Sequence, residues 1–592
     1  MTKRLLTYLK NYRKECFLAP FFKLLEAVFE LTVPLVIASL IDTGLAEGGE
    51  GKPYVIKMVL ILVAFTFLGF GFAVTAQFFA AKAAVGFATE LRHAMFSHIM
   101  KLSFKESEKQ GTATLITRMT SDINQMQTAV NMTLRLFLRS PIIVFGAMIM
   151  AFTVDVKAAL VFVVVIPILF VIVFGLLYMT LPRFKKVQEA LDRLLGLTRE
   201  NLTGVRVIRA FGLEDREIVN FEEETGKHRR LQELAGRLSA LMNPATYIVI
   251  NIALIILLYT GAIRVENNVL SAGAVVALVN YMSQVLVELI KLANTFITIT
   301  KGLACGHRIT DVLEIPEGME IKVVGGNEDG SEENDVQTTE IGRSGLEKDN
   351  DGKPGNPAVR FNHVFMKYSE GGEDALEDID FEAGYGTVTG IIGGTGSGKT
   401  SVVNLIPRFY DVEKGAVLVD GKDVRDYDIG ELRRKVGSVM QKAVLFKGTV
   451  RENLRWGNGS ATDEELKEAM RIAQVSDISL DREVEQEGRN FSGGQRQRLS
   501  IARTMVGKPE ILILDDSSSA LDYATDAALR KELKKLSWKP AIFIVSQRAS
   551  TIQHADMILV LDDGCLVGKG THDELIETCD VYKEIYASTE QG

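Results

Sequence analysis

Eight consecutive residues, Gly393, Gly394, Thr395, Gly396, Ser397, Gly398, Lys399 and Thr400, follow directly on the apolar run Val388–Ile392. The order predicts a buried strand, a glycine-rich turn and the start of a helix that runs on through Ser401. Such a turn lets backbone N–H groups close on a phosphate. Lys399 adds a point positive charge there, and the Thr400 hydroxyl can hold Mg²⁺. A second apolar run, Ile511–Leu514, ends in Asp515. An acid in that place holds the Mg²⁺ that neutralises the β- and γ-phosphates of a bound nucleotide. A third stretch, Phe491-Ser492-Gly493-Gly494-Gln495, puts two glycines after a serine at the opening of a helix, which again faces phosphate. Two phosphate-binding turns are one too many for a single nucleotide. They make sense together if the second addresses a nucleotide held by another copy of the domain. Gln441, at the end of a strand-like run, and Tyr368, an aromatic side chain able to stack on adenine, complete the set.

The elements that must position these residues belong to a soluble α/β half beginning near Ala358. There β-like runs (Val417–Val419, Ile511–Leu514, Ala541–Val545, Met557–Leu561) alternate with helical stretches. The first half is different. The 47% hydrophobic content is concentrated in apolar segments near Phe17–Ile41, Tyr54–Ala81, Leu134–Phe152, Ala158–Leu181, Ala245–Ile263 and Ala272–Thr300. At about 20 residues per crossing these predict six membrane helices, with both chain ends on the cytoplasmic side. The charge bias agrees, because the long connections Lys82–Arg135 and Arg183–Arg237 are rich in Lys and Arg and the short ones are not. Residues 1–16 carry Lys3, Arg4, Lys10, Arg13 and Lys14 around Leu5, Leu6 and Leu9, which predicts a basic amphipathic helix on the membrane surface.

The long connections keep helical periodicity and then break at polar stretches near Glu106–Thr114 and Gly212–Asn220. These read equally as plain helical loops or as contact elements for a soluble motor. Glu26, Glu30 and Glu288 lie at membrane depth, where charge is expensive, and read equally as pathway-lining or as paired groups. Residues 314–356 form an acidic, Gly-, Asn- and Ser-rich linker. The formal net charge of −8 argues against nucleic acid as a partner. Cys16, Cys305, Cys565 and Cys579 lack metal-ligand or redox spacing.

Taken in order, Tyr368, Gly393–Thr400, Gln441, Phe491–Gln495, Asp515 and Ser519–Asp522 resemble the nucleotide-binding domain of an ATP-binding cassette (ABC) transporter. The six-span half resembles the exporter type, as a half transporter. The resemblance implies a helical membrane domain over 17–313 joined to an α/β phosphate-loop domain over 357–592. It implies ATP and Mg²⁺ as cofactors, with Thr400, Gln441 and Asp515 at the metal. Ser492, Gly493, Gly494 and Gln495 would complete a partner's ATP site, with Ser519 and Asp522 beside them. The polar breaks then correspond to the family's coupling helices. Two positions depart from the pattern: Asp516 stands where the family has a catalytic Glu, and Gln547 where it has a switch His. The resemblance therefore implies a degenerate ATP site in one subunit of a heterodimer, whose partner brings the missing Glu and His. It also implies a bacterial inner membrane setting and cargo of amphipathic drugs or lipids. Peptide export and a nucleotide-gated regulatory or channel-like subunit are the alternatives.

Overall fold

The computed structural model describes residues 2–45, 51–318, 357–368, 371–517 and 520–590. Most of the acidic linker expected at 314–356 lies outside them. The chain forms two compact units, Met1–Lys101 with Gln110–Pro316, and Leu102–Lys109 with Glu317–Gly592.

Among the described residues, the first unit has six helical stretches long and apolar enough to cross a membrane: Lys10–Leu45, Lys52–Lys101, Thr112–Val154, Val156–Thr203, Glu214–Glu266 and Ala272–Leu313. Their number is the expected one, and their length is informative. The 50 residues of Lys52–Lys101 rise roughly 75 Å as a helix, against about 30 Å of hydrocarbon, so the helix continues far into water.

Two expectations are corrected. Residues 1–16 do not make one surface helix. A helix over Thr2–Thr7 is followed by a 3₁₀ turn, Lys10–Tyr12, and residues from Arg13 onward belong to the first span. Packing overrides the amphipathic pattern here: Leu5 is buried against Phe87, Leu91, Met95 and Ile309, and Tyr8 and Leu9 turn in beside it. Tyr12 then lies over Gly86, where a Cβ would meet the ring at 2.1 Å. The second correction concerns the break expected over Gly212–Asn220. It is confined to a short turn after the helix Val205–Ala210, with Gly212 at φ +61°, and Glu214–Ala240 is one helix. Glu214, Asp215 and Glu217 fall in its first turn, where negative charge favours the helix rather than ending it.

The intramembrane carboxylates are paired. Arg139, itself buried in the third span, donates to Glu288 Oε1 at 2.7 Å and to Glu30, and lies 3.9 Å from Glu26. Ser140 Oγ and Lys291 Nζ also reach Glu288, each at 2.9 Å, and Lys23 reaches Glu26 at 2.5 Å. The apolar run around Arg139 concealed the residue that collects these charges.

The second unit is built on strands β1 (Val359–Met366), β2 (Leu376–Ala383), β3 (Val388–Gly393), β4 (Lys414–Val419), β5 (Lys422–Asp423), β6 (Val436–Val439), β7 (Gly448–Thr449), β8 (Glu483–Val484), β9 (Ile511–Asp515), β10 (Ala541–Val545), β11 (Met557–Asp562) and β12 (Cys565–Gly570). Ten of them form one sheet in the order β5-β4-β1-β2-β12-β11-β3-β10-β9-β6. The run β11-β3-β10-β9-β6 is parallel, and β1 pairs antiparallel with β2 and β4. Alternation along β9 sends Ile511 and Ile513 into one core and Leu512 and Leu514 into the other, so the sheet is buried on both faces.

Residues 102–109 pack as part of this second unit. Phe104 stacks on Phe409 with ring centroids 5.4 Å apart, and the Tyr410 hydroxyl donates to Glu108 Oε2 at 2.8 Å. Burial, reinforced by that hydrogen bond, holds the Tyr410 phenol above its ordinary pKa. Of the polar break expected over Glu106–Thr114, the part up to Lys109 thus packs within the second unit, and Gln110 onward belongs to the first.

Candidate functional site

Ligands of open parallel sheets bind beyond the C-terminal ends of the strands, and the candidate residues meet there. Strand β3 ends at Gly393, β6 runs on to Gln441, β9 ends at Asp515, and β10 leads to Ser546 and Gln547. Gln441, Asp515, Ser546 and Gln547 line one cleft of about 390 Å³ with Tyr368, Thr395, Gly396, Gly398, Lys399, Thr400 and Ser401, while Gly393, Gly394 and Ser397 of the turn do not line it.

The turn has the backbone that glycine permits. Gly396 and Gly398 lie at φ +87° and +91°. A Cβ on Gly398 would strike Leu376 at 2.8 Å and the Ala375 carbonyl at 2.9 Å. One on Gly393 would meet the Leu561 carbonyl at 2.1 Å. Lys399 opens the helix Lys399–Leu405 and folds back over the turn, donating to the Gly393 carbonyl at 2.9 Å, to the Gly394 carbonyl and to Ser397 Oγ at 3.2 Å. Burial holds its ammonium group below the usual lysine pKa, against the pull of Asp515 and Asp516.

Asp515 accepts a hydrogen bond from Thr400 Oγ1 at 3.1 Å. Burial raises its pKa above the usual carboxylate range, the Thr400 bond opposes this, and Asp516 adds to it. A buried carboxylate beside a second acid and a hydroxyl is an environment that a hard divalent cation relieves. The donor set fits Mg²⁺, with Thr400, Asp515 and Gln441 as the residues that would hold it. Gln441 Nε2 donates to Asp516 Oδ2 at 3.3 Å. The backbone of Asp516 is itself in the left-handed region at φ +43°, and its N–H donates to the Val545 carbonyl at 3.1 Å. Asp516 is thereby fixed between β9 and β10.

Tyr368 flanks the cleft. Its hydroxyl is 2.7 Å from Ser401 Oγ, and its ring meets Tyr410 edge to face at 5.1 Å. This anchors the aromatic plane to the phosphate-loop helix.

The structure does not bring the second phosphate-facing turn to this cleft; none of Ser492, Gly493, Gly494 or Gln495 lines it. That turn opens the helix Gly493–Val506 with a capping box: Ser492 Oγ accepts from the Gln495 N–H at 3.2 Å, and the Ser492 N–H donates to Gln495 Oε1 at 3.1 Å. Gln495 Nε2 further donates to Asp477 at 2.9 Å. Asp522 caps the helix Tyr523–Leu533 by accepting from the Thr525 N–H at 2.9 Å. Ser519 lies outside the described residues.

Sequence reasoning missed Asp374, Ala375, Asp563 and Gly564 at the mouth of the cleft. The Asp563-Gly564 pair, at φ +43° and +79°, is a legible hairpin signal. Its place at the site follows only from the pairing of β12 with β2, in which the Glu377 N–H donates to the Gly564 carbonyl at 2.9 Å.

Comparison with known proteins agrees with this geometry. Residues 16–289 match the ABC transporter transmembrane region and residues 376–519 match the ABC transporter family. An uncharacterised ABC transporter ATP-binding protein of Mycobacterium tuberculosis is 34% identical over 98% of this chain and 97% of its own length. A Bacillus subtilis protein provisionally named a multidrug export ATP-binding/permease protein is 30% identical over 99% of this chain and 98% of its own. The solved structure of a bacterial Atm1-family ABC exporter with ATP bound shares the fold at a TM-score of 0.76 and 22% identity, covering 97% of this chain and 98% of that one. The chain is a multi-pass membrane protein of the ABC transporter family, a half transporter in which one transmembrane region and one ATP-binding domain are fused.

Proposed function

We propose that this chain is one subunit of a heterodimeric exporter that uses Mg²⁺ and ATP to move amphipathic drugs or lipids out of a bacterial cytoplasm. It works by alternating access across the inner membrane, with both chain ends cytoplasmic. One observation carries the reading. Asp516 and Gln547 stand in the same cleft as the phosphate loop, while the turn Ser492–Gln495 is intact and lies elsewhere. Asp516 is one methylene shorter than Glu, which withdraws the carboxylate by over an ångström. A displacement of that size costs roughly 10²-fold in rate. Gln547 cannot carry an imidazole's proton or charge. This cleft therefore holds ATP and turns it over slowly. The intact turn does its work on the nucleotide of a second half transporter that supplies Glu and His at the two positions.

The chain's own residues supply the binding step. Lys399 and the loop N–H groups would hold the phosphates, Tyr368 would position the base, and Gln441 and Asp516 would orient the attacking water. Mg²⁺ would add charge neutralisation between the β- and γ-phosphates. Coupling to the membrane unit would run through residues 102–109 and, on the partner, through the exposed Val207, Phe211 and Leu213 around the second break.

The test is ATP hydrolysis by the purified chain alone and together with a half transporter that carries Glu and His. The chain alone should bind ATP with turnover depressed about 10²-fold below the roughly 10 s⁻¹ of an ordinary enzyme, and the mixture should recover it. Full turnover by this chain alone would refute the heterodimer reading.

A further inference from the structure

Away from the nucleotide cleft, the second unit contains a cavity of about 300 Å³ between the helix Tyr523–Leu533 and the segment Ser550–Ala555. This is at the small end of the range for small-molecule sites. Its floor is apolar, made by Val388 of β3, Ile542 and Ile544 of β10, and Leu533. Its rim carries the cations Arg530, Lys531 and Lys534, with His554 beside them, and among the described residues no carboxylate lines it.

The cations differ in how far the fold employs them. Arg530 is used: it donates to the carbonyls of Ser550 and Thr551, at 3.0 Å each, and pairs with Asp526 at 2.8 Å. It thereby ties the two walls together. Lys534 donates only to a carbonyl, that of His554, at 3.3 Å. Among the described residues neither Lys531 nor Lys534 has a carboxylate partner. They stand three apart on one helix face, where like charges repel. Their place at the C-terminal end of the helix favours positive charge, and both ammonium groups remain without a carboxylate over an apolar floor. An apolar pocket with convergent charge of one sign is what an amphipathic ion of the opposite sign requires.

The location gives such a site leverage. The helix on one wall is capped by Asp522, and the other wall begins three residues after Gln547. Both walls thus continue directly from segments of the ATP machinery.

We propose that this cavity binds a small amphipathic anion, an alkyl chain bearing a phosphate or carboxylate head, and that its occupancy fixes the spacing of the two walls and so modulates ATP turnover. The chain is seated over Val388, Ile542 and Ile544, and the head lies between Lys531, Lys534 and His554.

The experiment uses the full-length chain in nanodiscs of zwitterionic lipid, with saturating ADP so that the nucleotide cleft is filled. Hexyl phosphate is the probe, followed by ³¹P line broadening and by the thermal unfolding midpoint. Hexylammonium, hexanol and inorganic phosphate are the comparisons. Saturable binding of hexyl phosphate is expected, at least about tenfold tighter than any of the three, since hexanol and hexylammonium forgo a charge-assisted hydrogen bond worth about that factor and inorganic phosphate forgoes burial of the alkyl chain. K531Q/K534Q, which changes exposed side chains only, should weaken it about tenfold or more. A527W, which fills the mouth, should abolish it. Equal binding of hexylammonium or hexanol, or unchanged binding in K531Q/K534Q, would overturn the proposal. Loss of binding in K399A would overturn it too, by placing the probe in the phosphate loop. A shift seen only in nanodiscs doped with phosphatidate, and not with hexyl phosphate, would overturn the soluble ligand. None of these outcomes depends on the heterodimer.

Discussion

Replacing Arg139 by Met tests whether the buried ionic cluster holds the membrane unit together. Arg139 and Glu288 expose 7% and 3% of their side chains, so their 2.7 Å contact is nearly free of solvent screening. The cluster is balanced: Lys23, Arg139 and Lys291 against Glu26, Glu30 and Glu288, three charges of each sign. Methionine keeps much of the arginine's volume and removes its charge, leaving an excess of one carboxylate in a buried place. Breaking one partner out of a buried pair costs about 3–5 kcal/mol, most of it the penalty on the charge left behind. The reasoning makes a sharper demand on the double variant. R139M/E288Q returns the cluster to balance, two carboxylates against two lysines, and should recover at least half of the loss. K82M supplies the surface control. Its pair with Glu15 leaves Lys82 about half exposed, and the change should cost no more than about 1 kcal/mol. The assay is reversible unfolding of the full chain in mixed lipid–detergent micelles, followed by helical circular dichroism. The cluster would lose its structural role if R139M fell within 1 kcal/mol of the parent chain, or if the double variant were no more stable than R139M.

Three further outcomes follow. D516E combined with Q547H should raise ATP turnover by this chain alone about 10²-fold with little change in ATP affinity, measured by phosphate release and nucleotide binding in parallel. Y410F removes the hydrogen bond to Glu108 but keeps the ring that packs on Phe104 and Tyr368, so ATP affinity should change less than twofold while ATP-driven dye transport by the assembled exporter falls. G273V should destabilise the membrane unit by about 1–3 kcal/mol, read as a lowered unfolding midpoint. A Cβ there meets the Ala38 carbonyl at 2.3 Å, and Gly273 donates its N–H to Asp42 at 2.7 Å.

The nucleotide cleft was legible because its residues sit at strand ends, and strand ends are marked in sequence by apolar runs that stop at a glycine or an acid. Val388–Gly393 and Ile511–Asp515 each announce both a strand and the functional residue beyond it. The six spans were legible for a similar reason, since a run of apolar residues is a one-dimensional signal. What escaped depends on three-dimensional pairing. Arg139 lies inside an apolar run, and its role comes from carboxylates on two other spans, 109 and 149 positions away in sequence. Tyr410 carries no motif of its own, and its partner Glu108 is 302 positions away. The N-terminal pattern misled because Leu5, Tyr8 and Leu9 satisfy an amphipathic helix and an inward-turned cap equally well, and the cavity beside Phe87 and Leu91 decides between them.

The turn Ser492–Gln495 presents its backbone differently from the phosphate loop. Its capping box spends Ser492 Oγ and Gln495 Oε1 on each other's backbone N–H groups. An α-helix leaves its first N–H groups without acceptors, so those of Gly493 and Gly494 remain for an outside anion. A Cβ on Gly493 would meet nothing within 4 Å, and one on Gly494 would approach the Ala520 carbonyl at 3.0 Å. Glycine at 493 is thus not demanded by this chain's own packing, and it leaves the backbone there open to close approach from in front. The phosphate loop is held differently, with Gly393 and Gly398 forced by neighbours within the same domain. Gly393 and Gly398 are thus held by the fold itself, whereas Gly394, with nothing within 4 Å of a Cβ, stands as open as Gly493. On the proposed heterodimer reading, the open backbone at Gly493 is what a nucleotide of another subunit would approach, since this turn does not line the chain's own cleft.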